Sequence, residues 1–294
     1  MKIKVITSYK PGTWEQYGKK GIESMAEHFP KEIDIVVYAE EPKPECKYDR
    51  IQWIDLNTAE PELFKFKNKH KNDPVANGEL QEIEGGVRRP AELQMKGGRD
   101  SKKGSYLWAA VRFANKVFCV VNAVRNSKDY DYVVWIDGDT FTFRPVPMDF
   151  FKNLLPEKTM LTYLGRENPK LNDGGKYPEC GFVGYNMKHP EVQNFVDDWE
   201  DLYKTDGVFK LLEWHDSFVF WHLSKLYRKE KGIQVNDIGY WKGVKGHHVF
   251  VNSELGQYMD HMKGKRKRLG ASARSDLSAA PTVDYWKTVP PSLK

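Results

Sequence analysis

Apolar and polar positions along the chain alternate between two periods. Lys2 to Ser8 is a run of strand formers, closed by Tyr9-Lys10-Pro11-Gly12. A helix is predicted from Thr13, a usable N-cap, to about His28. Ile33 to Ala39 and Arg50 to Ile54 read as further strands, and strand–helix–strand is how a nucleotide-binding α/β unit opens. From Ser105, the positions Leu107, Ala110, Val111, Ala114, Val117 and Phe118 recur at helical spacing. Tyr132 to Ile136 is apolar at every position, which predicts a strand buried on both faces. Asp149 to Leu154 reads as a short helix. Met160 to Leu164 and Pro178 to Asn186 read as strands. Pro190 opens a helix at its first turn, with Val192, Phe195, Val196 and Trp199 on one face. A further helix follows Glu213 to about Tyr227, and His247 to Asn252 reads as a late strand.

Two stretches break the periodicity. Residues 57–104 are polar, punctuated by Gly85-Gly86, Gly97-Gly98 and Gly104, and read as an insertion or lid. Another glycine pair, Gly174-Gly175, marks a polar loop. From Ala271 the chain reads as a loosely held tail, 271–294. Everything between fits one α/β domain over 1–270 with a mixed, Rossmann-like sheet flanked by helices, and 294 residues suffice for its core.

Composition narrows the class. No run approaches the roughly 18 apolar residues of a membrane span. Met1 to Ile6 lacks the about 7–15-residue apolar stretch of a signal peptide and reads as the first strand. Cys46, Cys119 and Cys180 are widely spaced, so neither a disulfide framework nor a zinc site is indicated, and a cytoplasmic, reducing setting is expected. A net charge of +5 does not demand nucleic acid but suits an anionic ligand such as a nucleotide diphosphate.

The chemistry concentrates at Asp137-Gly138-Asp139, directly after the buried strand. Ligands of open α/β sheets sit at strand ends, and two hard oxygen donors there suggest a divalent cation that holds a phosphate. A surface turn in which an Asp caps the next element is the plain alternative. Thr7, Ser8 and Tyr9 end the first strand, where a base and ribose would be met. Arg112 and Lys116 share a helix face four residues apart and suit a diphosphate. A second cluster runs from Tyr258 to Gly270 and contains Asp260, His261, Gly264 and a basic run from Lys263 to Arg268. Imidazole joins carboxylates in a mixed site that suits Mn²⁺ or Mg²⁺. Gly264 allows a close backbone approach to a phosphate, and Lys267 would neutralise it. A nucleic-acid patch is the competing reading of that basic run.

Asp137-Gly138-Asp139 after an apolar strand, taken with His261-x-x-Gly264-x-x-Lys267, resembles the GT-A glycosyltransferases. Within them it is most similar to the retaining family 8 group, which includes glycogenin and bacterial galactosyltransferases. After the lysine, that family has Pro-Trp where this chain has Arg268-Leu269. The resemblance covers about 1–40 and 105–265. It implies a GT-A-like fold, Asp137, Asp139 and His261 as metal ligands, and Gly264 and Lys267 at the phosphates of a UDP-linked donor. Trp214-His215-Asp216 also resembles the Trp-His-Asp-Glu stretch of the family 6 transferases. There the final acid lies beneath the transferred sugar. Here that position is Ser217, which shifts the role to Asp216.

The scheme is chemically coherent. A nucleotide diphosphate leaves only when its developing charge is neutralised, the task of the cation and Lys267. An oxocarbenium-like sugar needs an anion nearby, for which Asp216 and Glu179 are the candidates. The expected activity is therefore hexosyl transfer from a nucleotide-sugar to a glycan, lipid or protein hydroxyl, and the family 8 resemblance implies retention. A nucleotidyltransferase would place carboxylates similarly, but Tyr9-Lys10-Pro11-Gly12 is a poor triphosphate loop.

Overall fold

The computed structural model describes residues 1–79, 82–83, 86–87, 105–167, 176–239, 248–280 and 282–293. Residues 80–81, 84–85 and 88–104 of the predicted 57–104 insertion, the Gly174-Gly175 pair and His247 lie outside the described residues.

Strand formers build six of the seven strands of the main sheet where the sequence predicts them, and the edge strand Val235–Asp237 was not expected. β1 (Ile3–Ser8), β2 (Asp34–Ala39) and β3 (Ile51–Asp55) pair in parallel, and β1 pairs in parallel with β4 (Tyr132–Ile136) on its other side. After β4 come a short strand, β5 (Thr140–Thr142), then β6 (Leu161–Arg166), β7 (Tyr177–Asn186), β8 (Val235–Asp237) and β9 (Met259–His261). The main sheet has seven strands in the order β8-β6-β7-β4-β1-β2-β3. β7 runs antiparallel to both its neighbours and β8 parallel to β6, so the sheet is mixed, as expected.

Period-two alternation sorts the core into two layers. Ile6, Val36, Tyr38, Val133 and Trp135 face one cluster with the helices Pro61–His70 (α2), Ala110–Arg125 (α3), Val192–Lys204 (α5) and Asp216–Glu230 (α6). Val5, Ile35, Val37, Val134 and Ile136 face the other, with Lys19–His28 (α1) and Met148–Leu154 (α4). All five residues of β4 are buried, which is why it reads as a continuous apolar run. Among the described residues, no helix is long and apolar enough to cross a membrane.

Several boundaries differ from expectation. Thr13 does not cap with its side chain. Its hydroxyl donates to Lys10 O, and a wide turn, Trp14–Gly18, precedes α1. Residues 61–70 of the predicted insertion are helical, with Pro61 in the first turn and Leu63 and Phe66 buried on one face, which its four lysine and histidine residues obscure in the sequence. The helix after Pro190 begins at Val192. Residues 248–252 form turns instead of a strand, with Asn252 N donating back to His248 O and Val249 O. The tail is packed: Trp286 and Val289 are buried against the α1 layer, and Arg274 N donates to Pro290 O. Aromatic anchors in a polar, Ser/Pro-containing stretch carry no period, so composition alone gave the wrong impression of it.

Candidate active site

The parallel strands β1 to β4 bring Ser8-Tyr9, Glu40-Glu41, Trp53-Ile54 and Asp137 to one carboxyl edge. Asp137-Gly138-Asp139 turns out of β4 there. Its backbone is tied by Asp137 N donating to Gly181 O at 3.0 Å and by Thr140 N donating to Asp137 O at 2.9 Å. A Cβ on Gly138 would fall inside van der Waals contact with Ser8 O and 3.4 Å from Thr7 Oγ1. The glycine between the two acids is thus required by the end of β1, whatever the acids bind.

His261 arrives through a separate device. β9 pairs antiparallel with β5, matching His261 to Thr140, and Met262 N donates to Asp139 O at 2.9 Å. One oxygen from each of Asp137 and Asp139 and one nitrogen of His261 therefore lie within 4.8 Å of one another. His261 Nε2 is 3.2 Å from Asp139 Oδ1 and 3.4 Å from Asp137 Oδ2. Its Nδ1 points the other way, 3.9 Å from Glu179 Oε1. Gly181 makes room for this ring: a Cβ there would be 2.8 Å from His261 Cε1 and 3.0 Å from Glu179 Oε2.

Cations surround the carboxylates. Lys116 Nζ lies 2.8 Å from Asp137 Oδ1 and 2.5 Å from Asp216 Oδ2, and donates to Cys180 O at 3.0 Å. It joins the two acids. Trp135 Nε1 donates to Asp137 Oδ1 at 2.7 Å. Lys267 Nζ lies 3.0 Å from Asp139 Oδ2 and 4.2 Å over the Tyr17 ring. Lys263 Nζ lies 3.0 Å from Glu179 Oε1. Gly264 takes φ +65°, a left-handed turn that brings the chain from His261 to Lys267. Arg266 pairs with Asp276, so three of the five cations in the 263–268 run are already neutralised by carboxylates. That leaves only Lys265 and Arg268 for a nucleic-acid patch.

These partners decide protonation. Burial opposes ionisation of Asp137, but Lys116 and His261 outweigh it and hold its carboxyl well below the usual range. Asp139, likewise buried, is brought down to about 2 by His261 and Lys267. Burial is similarly outweighed at Glu179, lowered to about 2 by Lys263 and His261, and at Asp216, lowered by Lys116 and His215. For His261 burial favours the neutral ring, yet Asp139, Asp137 and Glu179 raise it to about 10. The site is a nest of buried charges balanced pairwise.

The remaining predicted residues divide. Thr7 is fully buried beside Gly138. Tyr9 is 4% exposed and packs against Trp14 and Trp53, at 5.3 and 6.4 Å, instead of offering its ring at the surface. Arg112 does not join the carboxylate cluster; it is exposed, 5.5 Å over the ring of Phe113. The sequence reading missed the part of Trp53, which with Glu40, Glu41, Asp55 and Asn57 lines a cleft of about 380 Å³ at the ends of β2 and β3. Its position at a strand's carboxyl end was the available signal. Lys263 and Glu213 were also missed, since nothing local marks a surface-type lysine or glutamate as the partner of a buried acid or imidazole.

No protein-family model and no curated protein matches the chain. Solved structures to which it is similar include the bifunctional glycosyltransferase WbbM, at 13% identity and a TM-score of 0.39 over 81% of this chain. A glycosyltransferase involved in the glycosylation of the major capsid of PBCV-1 is similar over 91% of this chain, at 11% identity and a TM-score of 0.45. The chain spans 38% of the length of the first and 98% of the second.

Proposed function

We propose that the protein is a metal-dependent glycosyltransferase of GT-A type that uses a nucleotide-diphosphate sugar. The observation that carries this reading is the convergence of Asp137, Asp139 and His261 at the carboxyl edge of the sheet. Two carboxylates held ionised and one buried imidazole form a mixed oxygen and nitrogen donor set that fits Mn²⁺ or Mg²⁺. Bound there, the cation would supply Lewis-acid neutralisation of the diphosphate leaving group. UDP is the nucleotide that the family 8 resemblance implies.

The chain's own residues have separable parts in this reading. Lys267, beside Asp139, is the cation that meets the departing diphosphate, and Gly264 lets the loop approach it. Asp216 is the anion for the oxocarbenium-like sugar; Lys116 and His215 keep it ionised. Glu179 stands behind the His261 ring, on the Nδ1 side. It therefore fits the role of orienting a ligand imidazole better than that of touching a sugar. Lys116 fixes the spacing of Asp137 and Asp216. An acceptor hydroxyl attacks on the face from which the diphosphate departs, so the product retains the anomeric configuration, as in family 8.

The test is nucleotide release from a panel of nucleotide-sugars with Mn²⁺, together with Mn²⁺ binding. We expect one donor to be hydrolysed slowly without an acceptor, and Asp139→Ala to abolish both signals. If no donor turns over and Asp139→Ala binds Mn²⁺ as the parent does, the reading fails.

A further inference from the structure

Asp216 has two sides. Toward β4 it meets Lys116 and, through it, Asp137. Its other side meets His215, whose Nδ1 is 3.8 Å from Asp216 Oδ1. The His215 ring lies 5.7 Å from Tyr106 and 6.0 Å from Phe113, both nearly edge-on. Its Nε2 is 2.8 Å from Glu213 Oε2 and 3.2 Å from Tyr177 Oη. The Arg112 guanidinium lies 5.5 Å over the Phe113 ring.

Tyr106 is 43% exposed, whereas Leu107 and Trp108 beside it are 2% and 3% exposed. This short turn is fixed to the segment that carries His215. Trp214 N donates to Leu107 O at 2.6 Å, and Trp108 Nε1 donates to Leu212 O at 3.2 Å. Of the large apolar side chains exposed among the described residues, Met1 is terminal, Leu226 is on α6 and Leu269 is in the basic run. Tyr106 alone of these four stands against a residue that touches Asp216. An anchored, outward aromatic ring against an imidazole that is itself paired with the Glu213 carboxylate is what a saccharide needs. Its C–H face stacks on the ring, and its hydroxyls bond to the polar rim.

We propose that Tyr106, with Phe113, Glu213 and Arg112 around it, forms the acceptor subsite and that the acceptor is a carbohydrate. The inference rests on the glycosyl-transfer reading and adds the acceptor's chemical class and location to it. A sugar stacked on Tyr106 is one imidazole away from Asp216, which Lys116 in turn joins to Asp137.

Saturation-transfer NMR with the methyl glycosides of glucose, galactose and mannose, with Mn²⁺ and UDP present, reads this binding without turnover. We expect at least one glycoside to bind the wild-type protein. Tyr106→Ala should weaken it on the order of tenfold, while Tyr106→Phe, which keeps the ring, stays within about twofold. Thermal melts establish that both variants are folded. No glycoside binding by the wild type, or equal binding by Tyr106→Ala, overturns the inference. Calorimetry of UDP and Mn²⁺ with the wild type reads the donor side separately. UDP binding without a Tyr106 effect defeats this inference alone, and absence of UDP binding removes the donor reading and this inference with it.

Discussion

Substituting Lys116 by Met keeps the length of the stem and removes the charge between Asp137 and Asp216. The side chain is 12% exposed, and its ammonium serves two buried carboxylates and the Cys180 carbonyl. Removing one member of a buried ion cluster leaves the others uncompensated, a loss of about 3–5 kcal/mol. For a chain of this length that corresponds to a melting shift of about 6–10 °C. The pH dependence has a definite sign. Asp137 and Asp216 have folded-state pKa values below their ordinary ones, so their stabilising contribution is present above the unfolded value and lost as pH falls. The difference between wild type and Lys116→Met should therefore be full at pH 7, begin to shrink near about pH 5 and go on shrinking as the pH falls below the ordinary carboxylate value. Urea denaturation at several pH values, with chelator present, measures it. Adding Mn²⁺ should recover more stability in the variant, because a cation near Asp137 offsets part of the lost charge. A loss under about 1 kcal/mol at pH 7, or one that stays constant in acid, would refute this account of the site's electrostatics.

Three further outcomes follow from the same geometry. Gly181→Ala places a Cβ 2.8 Å from His261 Cε1, so Mn²⁺ affinity, measured calorimetrically, should fall sharply for a stability loss of only about 1–3 kcal/mol; unchanged affinity would show that His261 is not a ligand. His261 is raised to about 10 and is therefore protonated at neutral pH. Its ion pairs stabilise the fold fully below the ordinary histidine value and are lost as pH rises toward 10. Mn²⁺ binding must displace that proton, so affinity should climb about tenfold per pH unit between 6 and 8, with proton release visible in buffers of different ionisation enthalpy. Trp286→Ala removes a buried indole whose Nε1 donates to Gly256 O at 2.7 Å, and urea denaturation should show a loss of about 3–5 kcal/mol; a negligible loss would return the C-terminal segment to the status of a loose tail.

Legibility followed the physics of each element. β4 was readable because all five of its side chains are buried, so no polar residue interrupts the run. α3 was readable because one wall of it faces the sheet at helical spacing. The helix Pro61–His70 was not, since only Leu63 and Phe66 are buried and three lysines lie among the other positions. At the site, the residue types that bind cations stood out in the sequence, but what neutralises them did not. The carboxylate partners of Lys116 are not legible, because four-residue spacing on a helix says which face a side chain shares, not which carboxylate lies across from it.

The sequence by itself determined the alternation that builds a two-layered α/β core and marked Asp137, Asp139 and His261 as chemistry of one kind. Those are consequences of local covalent pattern and residue type. Only the tertiary structure decided that the β5–β9 ladder sets His261 against Asp139, that Glu179 lies behind the imidazole, and that Lys116 joins Asp137 to Asp216. It also decided that Gly138 and Gly181 are glycines because other chain segments occupy the space of a side chain. Such distances are set by how strands register and sheets pack across long sequence separations, information that no short window of residues contains.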